Sequence, residues 1–141
     1  MGDWTVHVVC DGGCRGNGGA TPEAYGSFAI VRSSEVLFIQ TDQYPELSTN
    51  NQAELQAVLV ALKAIEQKVR DGGKADPHDV DIRVVTDSAL AVGYFHGKNP
   101  WKRKEPTLRM IAAKIDLQKT VFKSVWINKT SRSEVNRVLG H

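Results

Sequence analysis

The stretch "STNNQAELQAVLVALKAIEQKV" (Ser48–Val69) decides the fold, because it carries a strong helical pattern between shorter segments of strand character. Its apolar residues recur at steps of three and four, with one adjacent pair, which predicts a long amphipathic helix. Thr49 and Asn50 are residue types that commonly cap a helix N-terminus, and "DGGKADP" (Asp71–Pro77) ends the pattern. We therefore expect a long helix that packs one apolar face against a larger structure.

Short segments rich in β-branched residues lie on both sides of this helix. Five segments are predicted strands: Thr5–Cys10, Tyr25–Arg32, Glu35–Thr41, Val80–Thr86 and Val121–Ile127. The second and third should form a hairpin, because only Ser33 and Ser34 separate them. Three shorter helices are predicted: Ser88–Phe95, Pro106–Lys119 and Ser133–Leu139. The order β-β-β-α-β-α-α-β-α predicts an α/β fold in a single domain (residues 1–141), with helices packed on a mixed sheet.

The composition is that of an ordinary globular protein. The chain has 141 residues, of which 41% are hydrophobic and 24% charged, and it contains no apolar run long enough to span a membrane. No succession of basic, apolar and small residues marks a signal peptide at the N-terminus. Cys10 and Cys14 form a C-x3-C pair without a second pair, which is a poor zinc site, so we expect reduced thiols in a cytoplasmic protein.

Charge is distributed unevenly along the chain. Residues 1–97 carry 7 Lys/Arg and 13 Asp/Glu, whereas residues 98–141 carry 11 Lys/Arg and 3 Asp/Glu. A basic half favours a polyanionic partner, although a solvated basic face would give the same count. The acidic half needs a separate explanation, because acids repel nucleic acid unless metal ions intervene.

Three acids occupy positions where a metal site could form. Asp11 and Asp87 each directly follow a predicted strand, and ligands gather beyond the carboxyl ends of strands in open α/β sheets. Glu54 lies in the first turn of the long helix, at the edge of its apolar face. Neighbouring carboxylates repel one another unless a hard divalent cation such as Mg²⁺ or Mn²⁺ lies between them. The alternative is that these acids only cap turns and helices.

Polar and glycine-rich segments adjoin these acids. "DGGCRGNGG" (Asp11–Gly19) would allow close approach to a sugar-phosphate backbone, although a plain turn would also use glycine. It matches neither the phosphate-binding loop nor the dinucleotide-binding motif, because no Lys and no βαβ unit follow. The hydroxyl and amide side chains of residues 49–52 could bind 2′-hydroxyl groups and base edges. Trp101 and Lys102 lie in the basic segment 98–104, which favours sugar stacking and phosphate contact over a merely exposed loop.

The motifs "DGGCRGNGG", "TNNQAELQAVLVAL" (Thr49–Leu62) and "VTDSALAV" (Val85–Val92), followed by a tryptophan with a basic segment, occur in the order typical of one family. In these features the whole chain resembles ribonuclease H of type 1, in a compact form without the long basic protrusion. The resemblance implies a five-stranded mixed sheet, with three antiparallel strands followed by parallel ones, flanked by helices. It further implies an enzyme that cuts the RNA strand of an RNA/DNA hybrid with two Mg²⁺ or Mn²⁺ ions. Nothing in the sequence demands more than a monomer.

The resemblance assigns roles to individual residues. Asp11, Glu54 and Asp87 match the first three metal-binding carboxylates of the family, with Asp11 shared by both ions. Residues expected to contact the hybrid are Gly12, Cys14, Gly16, Asn17, Thr49, Asn50, Asn51, Gln52, Ser88, Trp101 and Lys102. Among them, Thr49 matches a position that grips a phosphate of the DNA strand.

Asn136 departs from the family pattern, because it takes the place of the fourth metal-binding and catalytic Asp. An amide can coordinate a cation through its oxygen but brings no charge, so we expect a chain that binds hybrids and cleaves them slowly or not at all. Either an engineered or a natural Asp→Asn change would produce such a site. A catalytically dead nucleic-acid-binding module and a DNA-cutting relative of the same fold are the alternative functions.

Overall fold

The computed structural model describes residues 4–17, 19–33, 35–95 and 105–140, apart from the side chains of residues 94 and 95. Its elements in chain order are β1 (Trp4–Arg15), β2 (Glu23–Arg32), β3 (Glu35–Gln43), α1 (Asn50–Gly72), β4 (Val80–Thr86), α2 (Ala89–Phe95), α3 (Pro106–Lys119), β5 (Ser124–Lys129) and α4 (Arg132–Leu139). A single 3₁₀ turn, Pro77–Asp79, precedes β4. In this part of the chain, no helix is both long enough and apolar enough to cross a membrane.

The five strands form one mixed sheet in the order β3-β2-β1-β4-β5. β1 pairs antiparallel with β2, and β2 pairs antiparallel with β3. β4 lies parallel between β1 and β5. The predicted fold class, the order of the elements and the β2–β3 hairpin are therefore confirmed.

Helices cover the sheet unequally on its two faces. The larger core packs α1, α2 and α3 against one face, with Val8, Phe28 and Val84 of the sheet buried beneath them. On the opposite face, the short helix α4 covers a small patch of Val9 and Ala29 with its own Val135, Val138 and Leu139. Because side chains alternate along a strand, each sheet residue that carries chemistry faces either α1 or α4.

The first strand is longer than the sequence predicts. β1 continues past Cys10 to Arg15, and its residues 11–15 pair with β2, so Asp11 lies within a strand rather than after one. Glycine is needed within this strand because a Cβ added at Gly12 would lie 2.4 Å from the carbonyl oxygen of Ala53 in α1. The chain turns only at Gly16, whose φ is +67°. The interpretation of the whole glycine-rich segment as a loop was wrong.

The boundaries of later elements shift by smaller amounts. β5 begins at Ser124 instead of Val121, because residues 120–122 continue the end of α3 as turns that hydrogen-bond back to residues 117–119. α3 spans the predicted residues, and α4 begins one residue earlier than predicted. Thr49 caps α1 as expected, with its side-chain oxygen accepting a hydrogen bond from the amide of Gln52.

Candidate active site

Asp11 and Asp87 lie side by side at one edge of the sheet. Cys10 of β1 pairs with Thr86 of β4 in parallel register, so the next residue of each strand is one of these two aspartates. Both side chains point to the α4 face, since each lies two residues beyond a valine of the small core. Asp11 is only 3% exposed, whereas Asp87, just beyond the end of its strand, is partly open to solvent. The fold therefore holds two carboxylates together, one buried and one partly open to solvent.

A guanidinium group lies between these two carboxylates. Nη1 of Arg132, the first residue of α4, donates to Asp11 Oδ2 at 3.0 Å and to Asp87 Oδ2 at 3.1 Å. The two acids raise the pKa of Arg132, through their hydrogen bonds first and their charge as well, so the side chain stays protonated. Its charge offsets part of the repulsion between Asp11 and Asp87.

Glu54 completes the acidic cluster from the first turn of α1. It is half-buried, and its Oε2 accepts a short hydrogen bond from the hydroxyl of Ser88. Ser88 is buried and also caps α2, because its Oγ accepts a hydrogen bond from the amide of Ala91 at 3.1 Å. The residue after Asp87 thus fixes the rotamer of Glu54 and the start of α2 at once.

The environment of Glu54 disfavours its charged form. Burial of the carboxyl raises its pKa, and the charges of Asp87 and Asp11 raise it further. The hydrogen bond from Ser88 and the charge of Arg132 act in the opposite direction without cancelling the rise. In the metal-free protein at neutral pH, an ionised Glu54 is therefore destabilising.

We expect Glu54→Gln to raise the melting temperature of the metal-free protein at pH 7 by a few degrees, of the order that about 1 kcal/mol gives in a domain of this size. When folding raises the pKa of an acid, the protein loses stability as pH rises from the unfolded-state pKa to the folded-state pKa. The neutral amide of Gln avoids that loss. The difference between the two proteins should therefore disappear below the ordinary glutamate pKa of about 4.3. Thermal melts from pH 4 to 8 in a chelator measure it.

Glu66→Gln on the same helix is the matched control with the opposite sign. Hydrogen bonds from Gln118 and Arg70 lower the pKa of Glu66, so its charged form stabilises the fold at pH 7 and this stabilisation is lost as pH falls through its folded pKa. The control should melt below the native chain at pH 7. If the metal-free Glu54→Gln protein also melted below the native chain at pH 7, the raised pKa of Glu54 would be contradicted.

The donor chemistry of the cluster suits a hard divalent cation. All three acids offer carboxylate oxygens, which are the ligands that Mg²⁺ and Mn²⁺ prefer. A cationic group already lies between Asp11 and Asp87, so a positive charge is favourable at that point. Within the described ranges, however, no three His, Cys, Asp or Glu side chains are placed so that they could hold an ion together as they stand. Metal binding therefore requires these side chains to rearrange.

Asn136 lies one helical turn after Arg132 on α4 and is exposed. Residues four apart share a helix face, so Asn136 is on the face from which Arg132 reaches the carboxylates. Glu134 does not take its place, because its carboxylate accepts two hydrogen bonds from Arg137. The next polar side chain on the helix face of Arg132 is therefore Asn136, an amide rather than an acid.

A polar groove adjoins the cluster where β1 meets the start of α1. The amide of Cys14 donates to Asn50 Oδ1 at 2.6 Å, and the amide of Asn50 donates to Asn17 Oδ1 at 2.8 Å. These bonds tie the turn at Gly16 to the N-terminus of α1. The open groove of about 320 Å³ is lined by Asn17, Thr49, Asn50, Asn51, Glu105 and Leu108.

Gln52 and Glu105 join the two helices that border this groove. Gln52 is buried, its Nε2 donates to Glu105 Oε1 at 2.9 Å, and its Oε1 accepts from the amide of Ser48 at 2.8 Å. Glu105 also caps α3, since its other oxygen accepts from the amide of Leu108. Gln52, expected to contact a nucleic acid, thus has both ends of its amide bound within the protein.

The remaining predicted site residues fall into three groups. Gly12 is partly exposed and packs closely against α1, whereas Ser88 is buried and hydrogen-bonded to Glu54. Cys14 is also buried, and its backbone amide donates to Asn50, which lines the groove. Trp101 and Lys102 lie outside the described residues.

Two functional candidates were missed from sequence. Arg132 had a usable signal, because it precedes Asn136 by four residues on a predicted helix and so shares its face. Glu105 precedes Pro106 at a helix start, a position that favours an acidic cap. No local sequence pattern predicts the hydrogen bond between Glu105 and Gln52.

The comparisons with known proteins all identify the same family. The sequence profile of the RNase H family matches residues 3–141. A ribonuclease H from Enterobacter sp. (strain 638) is 32% identical over 100 residues, covering 70% of this chain and 54% of that protein. The ribonuclease H of Cereibacter sphaeroides (strain ATCC 17029) is 31% identical over 132 residues, covering 86% of this chain and 79% of that protein. The chain thus spans about half the length of the first of these relatives.

Solved structures show the same architecture. LC11-RNase H1, in a crystal structure with an RNA/DNA hybrid, superposes with a TM-score of 0.78 at 28% identity, covering 94% of this chain and 90% of that one. RNase H1 from the halophilic archaeon Halobacterium salinarum superposes with a TM-score of 0.74 at 27% identity, covering 95% of this chain and 91% of that one.

Proposed function

Since this chain belongs to the RNase H family, we propose that it binds RNA/DNA hybrids and hydrolyses their RNA strand with divalent cations, at a rate that Asn136 lowers. The observation that carries the proposal is the cluster of Asp11, Glu54 and Asp87 beside a groove of amide and hydroxyl groups. The cations would activate the attacking water and stabilise the leaving oxygen. A similar chain, LC11-RNase H1, was solved in complex with an RNA/DNA hybrid.

The chain's own residues supply binding and positioning in this proposal. Asp11 and Asp87 would hold the cations at the sheet edge, and Glu54, which is hydrogen-bonded to Ser88, would be the third carboxylate. The exposed amide of Asn51 and the hydroxyl of Thr49 lie along the groove, where they can bond to sugar hydroxyls and phosphates. Because 2′-hydroxyl groups occur only in RNA, such contacts favour a duplex that contains an RNA strand.

Asn136 makes binding without efficient cleavage the expected behaviour of this chain. The amide removes one negative charge from the ligand set but leaves the groove unchanged. The cation that depends most on α4 should be held worst, because α4 offers it only a neutral oxygen. Recognition of the duplex depends on the groove and should stay intact.

Fluorescence anisotropy with three duplexes tests the proposal. The chain should bind an RNA/DNA hybrid at least about tenfold more tightly than duplex DNA of the same sequence, with duplex RNA between or below them. Asn51→Ala should weaken hybrid binding, whereas Gln67→Ala, which removes an exposed amide farther along the same helix, should not. Tightest binding to duplex DNA would contradict the proposal and favour a DNA-cutting relative.

A further inference from the structure

The acidic cluster contains a cationic side chain that nothing in the proposed reaction uses. Nη1 of Arg132 contacts Asp11 and Asp87 with nearly equal distances, 3.0 and 3.1 Å. The nitrogen is therefore placed between the two carboxylates instead of being paired with one of them. This is the arrangement expected of a positive charge that offsets the repulsion between two neighbouring carboxylates.

We propose that Arg132 is the counter-ion of the metal-free carboxylate cluster, and that divalent cations bind only after its guanidinium leaves the space between Asp11 and Asp87. The inference rests on the proposed function, in which the same carboxylates hold those cations. It assigns Arg132 a regulatory role: it stabilises the empty site and competes with metal ions for it.

Size and distance make the two occupants mutually exclusive. Mg²⁺ binds carboxylate oxygens at about 2.0–2.1 Å and draws its ligands closely around it. The guanidinium nitrogen holds the same two oxygens about 3 Å away on either side. A cation between Asp11 and Asp87 would occupy the position of Nη1, and the two positive charges would repel one another.

Arg132 is able to leave because about half of its side chain is exposed. It is 52% exposed and begins α4, whereas Asp11 is 3% exposed and lies within β1. The apolar contacts of α4 come from Val135, Val138 and Leu139, which face the sheet independently of the guanidinium. Displacement therefore breaks the two ion pairs without unpacking the helix.

Removing Arg132 should have two opposite effects. Arg132→Gln leaves the acids of the cluster without their nearest positive charge, so the metal-free protein should melt a few degrees lower. The same change removes the competitor and makes the site more negative, so Mn²⁺ should bind on the order of tenfold more tightly. A residue with only a structural role would lower both stability and metal affinity.

Arg137→Gln is the matched control. Arg137 is the same residue type on the same helix, it is 53% exposed, and its partner is Glu134, outside the cluster. This control should leave Mn²⁺ affinity unchanged. Arg132→Lys, which keeps a positive charge at the site, should restore the melting temperature and affinity toward those of the native chain.

Two measurements test whether Arg132 competes with metal ions: isothermal titration calorimetry with Mn²⁺, and thermal melts in the presence of a chelator. Tighter Mn²⁺ binding and a lower metal-free melting temperature in Arg132→Gln, both absent in Arg137→Gln, are the expected results. Equal or weaker Mn²⁺ binding in Arg132→Gln would overturn the role of Arg132 while leaving the metal site intact. Mn²⁺ binding by neither the native chain nor any variant would overturn the metal site as well, and thus the proposed function.

Discussion

Asn136→Asp is expected to raise the rate of RNA/DNA hybrid cleavage in Mg²⁺ by at least about 10²-fold, because loss of a partner outside the ligand shell already costs 10- to 100-fold. The substitution adds one charge on the face of α4 from which Arg132 reaches Asp11 and Asp87. It changes no buried residue, since Asn136 is exposed. Single-turnover cleavage of a labelled hybrid under saturating protein separates this effect on the rate from any effect on binding.

Ser133→Asp is the charge control for that experiment. It adds the same charge to an exposed position of the same helix, three residues before Asn136. A general effect of negative charge on α4 would change both variants alike, whereas a ligand effect should appear only at residue 136. Tight hybrid binding without cleavage in Asn136→Asp would identify the chain as a binding module that has lost catalysis.

Gly12→Ala is expected to destabilise the protein by about 3 kcal/mol, which corresponds to a melting temperature lower by roughly 10 °C. The added Cβ would lie 2.4 Å from the carbonyl oxygen of Ala53 and 2.7 Å from the amide nitrogen of Glu54. Both neighbours are backbone atoms of a buried helix, so neither can move aside cheaply. β1 and α1 must separate, and with them Asp11 and Glu54.

Gly72→Ala is the matched glycine control. Gly72 is the last residue of α1, and an added Cβ there would have no heavy atom within 4 Å. Alanine is favoured over glycine in a helix by about 1 kcal/mol, so this variant should melt at or slightly above the native temperature. Equal melting temperatures for Gly12→Ala and the native chain would show that β1 does not pack on α1 as closely as described. Thermal unfolding followed by circular dichroism gives both values.

The order of elements could be read from sequence because it depends on local patterns. The steps of three and four in α1 and the β-branched runs of β2 and β4 each predict their own element without reference to the rest of the chain. Asp87 follows β4 directly for the same reason, since the apolar alternation stops there.

The end of β1 could not be read in this way. Glycine supports both a turn with positive φ and a close approach of two backbones, and composition alone does not distinguish them. Gly16 is of the first kind, with φ +67°. Gly12 is of the second kind, and its partner Ala53 belongs to a helix far along the chain. Only the three-dimensional packing separates these two uses.

The candidate site was likewise predictable from sequence only in part. The positions of Asp11, Glu54 and Asp87 at one edge of the sheet follow from strand order and helix periodicity. The hydrogen bond between Gln52 and Glu105 joins residues that are 53 apart in sequence, so no local pattern predicts it. Arg132 could have been identified from its spacing to Asn136, but its contact with two carboxylates depends on where α4 crosses the sheet.

The acidic cluster also shows why such a site is costly before it binds its ions. Glu54 has a raised pKa, and Asp11 and Asp87 need a guanidinium between them. Glu54 therefore weakens the metal-free fold, whereas Arg132 offsets the repulsion between Asp11 and Asp87. Glu54→Gln should therefore stabilise the metal-free protein and weaken metal binding together.

The most direct test of the hybrid-cleaving site is strand and end-group analysis of a hybrid labelled on both strands, incubated with the Asn136→Asp chain in Mg²⁺. We expect cuts in the RNA strand only, with 5′-phosphate and 3′-hydroxyl ends, an intact DNA strand, and no cuts when Asp11→Asn is added to the same chain. Cuts in the DNA strand, or RNA cuts that persist in chelator or with Asp11→Asn, would contradict a metal-dependent site that acts on the RNA of a hybrid.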